Sequence, residues 1–190
     1  MTRRCIMPPV GAAQPASTAH RAVIPSYQTE RLTLRAPMMS DFPAWRTLMV
    51  PDTEGYLGGP HTEEEAWEAF CVYVAGWLLH GHGLWSVELR EGGALAGFVH
   101  LGLEWGDAEP ELGWMFLPEH RGLGYAREAA EQARAHGATL FGASGFVSYV
   151  DPDNAPSNRL AQHLGGERDA SAEASIDDGQ THVWRYGGHA

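Results

Sequence analysis

Polar and apolar residues alternate at period two along Arg31-Leu32-Thr33-Leu34-Arg35-Ala36, the pattern of a half-buried strand, and Pro37 ends it. Ser40 then reads as the N-cap of a first helix over 41–49, whose Phe42, Trp45, Leu48 and Met49 share one face. Thr62 followed by Glu65 makes a capping box, and Ala66, Trp67, Phe70, Tyr73, Val74 and Trp77 recur at helical steps, which predicts a second helix to about residue 80. Three strand-like runs follow over 83–91, 94–104 and 110–117. The turns Glu91-Gly92-Gly93 and Gly106-Asp107 divide them, as in an antiparallel meander. A helix over 122–136 carries Ala126, Ala129, Ala130 and Ala133 on one side, small enough to lie close on a sheet. A strand over 146–150, a helix over 156–164 closed by Gly165 and Gly166, and a last strand over 182–186 complete the order.

One mixed α/β sheet with helices on both faces satisfies this order. Residues 1–26 are rich in Ala, Pro, Ser and Thr without an apolar period, so they read as a flexible tail before one domain over 27–190. A chain of 190 residues suffices for one such core.

Charge narrows the partners. A net charge of -11 leaves no basic stripe for a phosphate backbone, which argues against nucleic acid. An acidic field suits a cationic partner such as a protonated amine. Cys5 and Cys71 cannot make a disulfide framework and lack clustered zinc spacing, which fits a reducing cytoplasm. No apolar run reaches the ~18 residues of a membrane span. The stretch over 1–9 has Arg3 and Arg4 but no sustained apolar run, a poor signal peptide. The ten histidines, His80 and His82 among them, show no zinc spacing; they read as surface or packing residues, and no metal is implied.

The chemistry concentrates where the strand Glu111-Leu112-Gly113-Trp114-Met115-Phe116-Leu117 runs through Pro118-Glu119-His120 into Arg121-Gly122-Leu123-Gly124-Tyr125-Ala126 and opens a helix. The first N–H groups of a helix lack internal partners and carry the positive end of the macrodipole, so backbone alone can hold an anion there. Gly122 and Gly124 remove side chains that would keep a pyrophosphate away, and Arg121 can add a charged contact. A Walker loop would need Gly-Lys-Ser or Gly-Lys-Thr, and a dinucleotide fingerprint a third glycine where Arg127 stands.

Arg121-Gly122-Leu123-Gly124-Tyr125-Ala126 resembles the Arg/Gln-x-x-Gly-x-Gly/Ala motif of GNAT N-acetyltransferases. Asn154-Ala155-Pro156-Ser157 resembles the Asn-x-x-Ser helix start of their Rim-like branch, and Glu111-Leu112-Gly113-Trp114 resembles its Glu-Ile-Gly-Tyr strand. The resemblance spans about 28–186 and implies a GNAT fold, with a mixed, mostly antiparallel sheet of six to seven strands flanked by about four helices. It implies acetyl-CoA as cosubstrate, with the amides of residues 122–126 on its pyrophosphate and its pantetheine along Met115, Phe116 and Leu117. The acceptor would be an amine, either a small molecule or a protein N-terminus, and the assembly compatible with a homodimer.

Direct transfer requires the alkyl ammonium to lose a proton and the departing thiolate to gain one. Glu111 is the candidate base, or else a substrate or structural ligand; Glu104, Glu109 and Asp107 border the turn and are weaker candidates. Ser157 is the candidate acid or thiol contact, or a plain helix-start residue. Other branches place a Tyr where Ala161 stands here. Asn154 reads as a pantetheine ligand or as part of the Asp151-Pro152-Asp153 turn. A backbone N–H of Met115 or Phe116 would stabilise the carbonyl oxygen. Trp67, Tyr73 and Trp77 read mainly as core, and 56–60, with Gly58 and Gly59, as an acceptor loop or a connection.

A catalytically silent acyl-CoA sensor is the alternative. A serine hydrolase fails because Gly142-Ala143-Ser144-Gly145-Phe146 lacks the last glycine of a nucleophile elbow.

Overall fold

Eight strands form one sheet in the computed structural model, which describes residues 3–142, 145–177 and 180–187. They are β1 (Tyr27–Gln28), β2 (Leu32–Arg35), β3 (Leu84–Leu89), β4 (Leu95–Gly102), β5 (Glu111–Phe116), β6 (Phe146–Val150), β7 (Glu167–Arg168) and β8 (His182–Tyr186). Their spatial order is β1-β2-β3-β4-β5-β6-β8-β7, and every neighbouring pair is antiparallel except β5 with β6. The α-helices among the described residues are α1 (Ala13–Arg21), α2 (Phe42–Met49), α3 (Glu63–Leu79), α4 (Tyr125–Phe141), α5 (Ala155–His163) and α6 (Ala170–Asp177).

Strand alternation divides the core in two. On β4, Val99 packs with Leu32, Leu34, Leu112, Phe116 and the α4 alanines Ala129, Ala130 and Ala133. Its neighbour Phe98 points to the opposite face, packing with Phe42, Trp45, Ala66 and Phe70 of α2 and α3. Helix α4 lies close because Gly137 offers no Cβ; one built there would sit 2.7 Å from the Phe146 ring. The capping box of α3 forms as expected, with Glu65 N–H donating to Thr62 Oγ1 at 3.2 Å and Thr62 N–H to Glu65 Oε2 at 2.7 Å.

Several expectations are corrected. The sheet has eight strands rather than six or seven, because β1 and β7 are two residues long and too short for a period to register. Helix α1 lies inside the expected tail, and it escapes periodicity because none of its residues is buried. Ser40 does not cap α2. It sits in a 3-10 turn, Met39–Asp41, whose Asp41 carboxylate instead accepts the Met38 N–H at 2.8 Å. Helix α4 begins at Tyr125 because Gly122 and Gly124 take φ of +73° and +83°, outside the helical region. Ala143 and Ser144 lie outside the described residues.

Candidate active site

Strands β5 and β6 share one register pair, Glu111 with Val147. Val147 N–H donates to the Pro110 carbonyl at 2.9 Å and Ser148 Oγ donates to the Leu112 carbonyl. Past Leu112 the strands part, leaving an opening in the sheet beside Trp114, Met115 and Phe116. Leu117 N–H donates to the Ala96 carbonyl on the β4 side at 3.0 Å. Amide directions alternate along a strand, so Met115 also turns its N–H to β4, whereas Trp114 and Phe116 turn theirs to the opening. Of the two amides expected near the carbonyl oxygen, only that of Phe116 faces the right way.

At one end of this opening lies the glycine turn. The first helical bond of α4 runs from Glu128 N–H to the Gly124 carbonyl at 3.1 Å, so the N–H groups of Tyr125, Ala126 and Arg127 precede it. A Cβ on Gly122 would meet nothing within 4 Å, which leaves that side of the turn open. The turn is braced from outside. Arg31 Nη1 donates to the Leu123 carbonyl at 2.9 Å, its Nε to Glu128 Oε2 at 2.7 Å, and its guanidinium lies 4.7 Å from the Tyr125 ring centroid. Partial burial pushes the Glu128 carboxyl up, but the Thr29 hydroxyl, the Arg31 N–H and the Arg31 guanidinium outweigh it and hold the group below its ordinary range. Arg121 Nε donates to the Phe116 carbonyl at 2.8 Å and its Nη1 pairs with Glu54 Oε1 at 2.9 Å.

Helix α5 flanks the opening. Asn154 Oδ1 accepts the Ser157 N–H at 3.2 Å, so this side chain caps the helix as a turn residue would, while its amide nitrogen has no part in that cap. The Trp114 indole N–H donates to Ser157 Oγ at 3.2 Å. With one lone pair taken, the Ser157 hydroxyl keeps its own proton to donate. Ala161 is fully buried in the core.

Glu111 is half-buried at the base of the opening. Burial, then the carboxylates of Glu104 and Asp107, push its carboxyl up to about 8, against the opposing Tyr149 backbone N–H. Beside it stands His100, 4% exposed, which burial and then His82 push down to about 3. One ligand atom from each of His100, Glu104 and Glu111 lies within 4.8 Å of the others. The Tyr73 hydroxyl donates to Glu104 Oε1, and the Tyr73 and His100 ring centroids are 4.1 Å apart. His100 was not legible as a site residue; its one signal is an imidazole at a position of β4 on the same face as Phe98, where the apolar pattern breaks.

The structure sorts the remaining candidates. Glu109 is held by the Arg185 guanidinium, at 2.7 Å for Oε1, and stands outside the cluster. Glu104, one of the weaker candidates at the turn, joins it. Trp77 packs in the core and donates to the Leu84 carbonyl at 2.8 Å; Trp67 packs on the other core. Tyr73 alone of the three reaches the site. His82 is a buried packing residue on the Leu101 carbonyl at 3.1 Å, as read. Tyr56 OH donates to the Asp153 carbonyl at 3.3 Å, so with Glu54 the α2–α3 connection touches both Arg121 before the glycine turn and the turn that leads into α5.

Residues 31–167 match the Acetyltransferase (GNAT) domain family, a span that includes the turn, the opening, Glu111 and Ser157. The chain belongs to the GNAT acetyltransferase family. Among solved structures it is similar to an acetyltransferase from Agrobacterium tumefaciens str. C58, at 37% identity and TM-score 0.80 over 87% of this chain and 95% of that one. It shares the fold of spermidine N-acetyltransferase from Vibrio cholerae, solved with CoA and spermine, at 20% identity and TM-score 0.63 over 83% of this chain and 94% of that one. It is also similar to the uncharacterized N-acetyltransferase YnaD of Bacillus subtilis (strain 168), at 29% identity over 49% of this chain; the match spans 55% of that relative's length. No helix among the described residues is long and apolar enough to cross a membrane.

Proposed function

We propose that this GNAT protein moves an acetyl group from acetyl-CoA directly to a primary amine, a small molecule or a protein N-terminus as in the Rim-like branch. The observation that carries this reading is the parting of β5 from β6, with a bare glycine turn at one end and Glu111 and Ser157 on either side. The amides of residues 122–126 and the Arg121 guanidinium hold the diphosphate, and pantetheine follows the β5 edge from Met115 to Leu117. Asn154 contributes its amide nitrogen. The amine nitrogen attacks the acetyl carbonyl while the Phe116 N–H steadies the oxygen. Glu111 has first taken a proton from the acceptor ammonium; as the C–S bond then breaks, the Ser157 hydroxyl protonates the departing thiolate and regains a proton from the adduct nitrogen. The acidic surroundings that raise Glu111 also favour a cationic acceptor.

The test is thiol release from acetyl-CoA against a panel of primary amines and N-terminal peptides. Wild type should turn over, with Glu111→Gln slowed roughly 100-fold and Ser157→Ala less. Acetyl-CoA binding without thiol release on any acceptor would instead mark a sensor.

A further inference from the structure

We propose that Asn158 is a positioning residue for the transfer: it fixes the first turn of α5 against β8, and through that turn sets where Asn154 and Ser157 meet the pantetheine arm and the thiol. This deepens the acetyl-transfer reading and rests on it for the roles of those two residues. The starting point is the set of groups that one half-buried side chain gathers. Its Nδ2 donates to the Asp151 carbonyl at 2.9 Å, to the Asn154 carbonyl at 2.9 Å and, more loosely, to the Pro152 carbonyl at 3.4 Å. Its Oδ1 accepts from Trp184 Nε1 at 2.9 Å and from His182 Nδ1 at 2.7 Å.

The partners dictate how this amide is turned. An indole N–H can only donate, so the Asn158 atom it meets is the carbonyl oxygen. His182 shares that oxygen and so carries a proton on Nδ1, while the amide nitrogen faces three backbone carbonyls. Trp184 is 9% exposed, and an indole N–H stranded at that depth is costly, which holds the arrangement in one state.

Each contact bears on the site. The Asp151 carbonyl also accepts the Asn154 N–H at 3.0 Å, and the Asn154 carbonyl also accepts the Asn158 N–H at 3.0 Å. The Asn158 side chain therefore grips the same two carbonyls that shape the 151–154 turn. That turn sets the backbone of Asn154, whose Oδ1 in turn accepts the Ser157 N–H. Strand β8 pairs with β6 and lies on the far side of the parting from β5. The first turn of α5 is thus held at both margins of the opening, by Asn158 to β8 and by Ser157 to Trp114 on β5. Without the β8 anchor the turn is free to shift, and a misplacement of about 1 Å at a reacting group can slow transfer by up to about 100-fold. The glycine turn before α4 belongs to a separate element, so its grip on a diphosphate should be indifferent to Asn158.

Calorimetry on the full chain with CoA and with ADP, which offers a diphosphate without pantetheine, tests this beside thiol release from acetyl-CoA. Asn158→Ala should weaken CoA about tenfold and leave ADP within about twofold, since the contacts of Asn154 and Ser157 are displaced and those of the glycine turn are not. Asn158→Asp keeps the volume of the side chain and both acceptors toward β8 but sets an oxygen against the Asp151 and Asn154 carbonyls, and it should do the same. In turnover, Asn158→Ala should lower kcat about tenfold alone and less than about twofold beside Ser157→Ala, because both act through one hydroxyl. Equal weakening of CoA and ADP, an unchanged CoA affinity in both variants, or full additivity with Ser157→Ala would overturn the proposal and leave Asn158 a residue of the fold alone. A selective loss of CoA affinity in a protein whose wild type releases no thiol on any acceptor would uphold the positioning role and remove the transfer reading, so the two failures are separable.

Discussion

The indole N–H of Trp114 donates to Ser157 Oγ at 3.2 Å, tying β5 to the first turn of α5 across the gap in the sheet. The hydroxyl of Ser157 thereby has a fixed acceptor side and a free proton. Trp114→Phe keeps the ring and removes the donor, so kcat should fall about fivefold, the worth of one modest hydrogen bond, while the KM for acetyl-CoA stays put. Steady-state kinetics separate the two; a rise in KM alone would assign Trp114 to packing.

Glu111 titrates near 8 because burial and two carboxylate neighbours oppose its charge. As the base of the free enzyme it must be ionised, so kcat/KM should climb with pH to about 8 and level off above it, and Glu111→Gln should lose that limb. Stability has the opposite sign. A pKa raised in the folded state contributes stability below the ordinary carboxylate range that is lost as pH rises through about 8. Relative to wild type, Glu111→Gln should therefore gain in Tm between pH 5 and pH 9, as scanning calorimetry would register.

Arg31 reaches the glycine turn from β2's approach and fastens it through Leu123, Glu128 and Tyr125. Removing it in Arg31→Ala should loosen the cofactor turn without touching the reacting groups. The expected result is a KM for acetyl-CoA raised roughly fivefold with kcat nearly unchanged, since a partly exposed ion pair and one carbonyl contact are worth little more.

Much of this was readable in the chain, for reasons that differ by element. Leu32 and Leu34 on β2, and the apolar steps of α2, repeat at the period of their element, so pattern found them. The turn at Gly122 and Gly124 was legible because two glycines before a helix mark the positive φ that both adopt. The place of His100 was not, because it depends on Gly102, Tyr73 and Glu111 meeting across separate elements, which no local spacing encodes. Asp41 was missed for the same reason: it looks like a neighbour of an N-cap, yet its carboxylate gathers Arg35 and Ser86 from β2 and β3.

That buried carboxylate carries a prediction about the fold alone. Asp41 is 4% exposed and accepts from Arg35 at 2.8 and 3.0 Å, from Ser86 Oγ at 2.7 Å and from the Met38 N–H at 2.8 Å. Asp41→Ala leaves a guanidinium without its main partner and should destabilise the protein by about 3 kcal/mol, measured by urea unfolding.

Titration of acetyl-CoA into the purified protein tests the account most directly, with wild type and Gly124→Val side by side. A side chain at φ +83° strains the turn and crowds the Arg31 guanidinium, 3.3 Å from a Cβ there. One site per chain in wild type, weakened at least tenfold in a variant that still folds, is the predicted result. No heat in wild type, or equal affinity in both, would contradict the claim that this turn holds the cofactor.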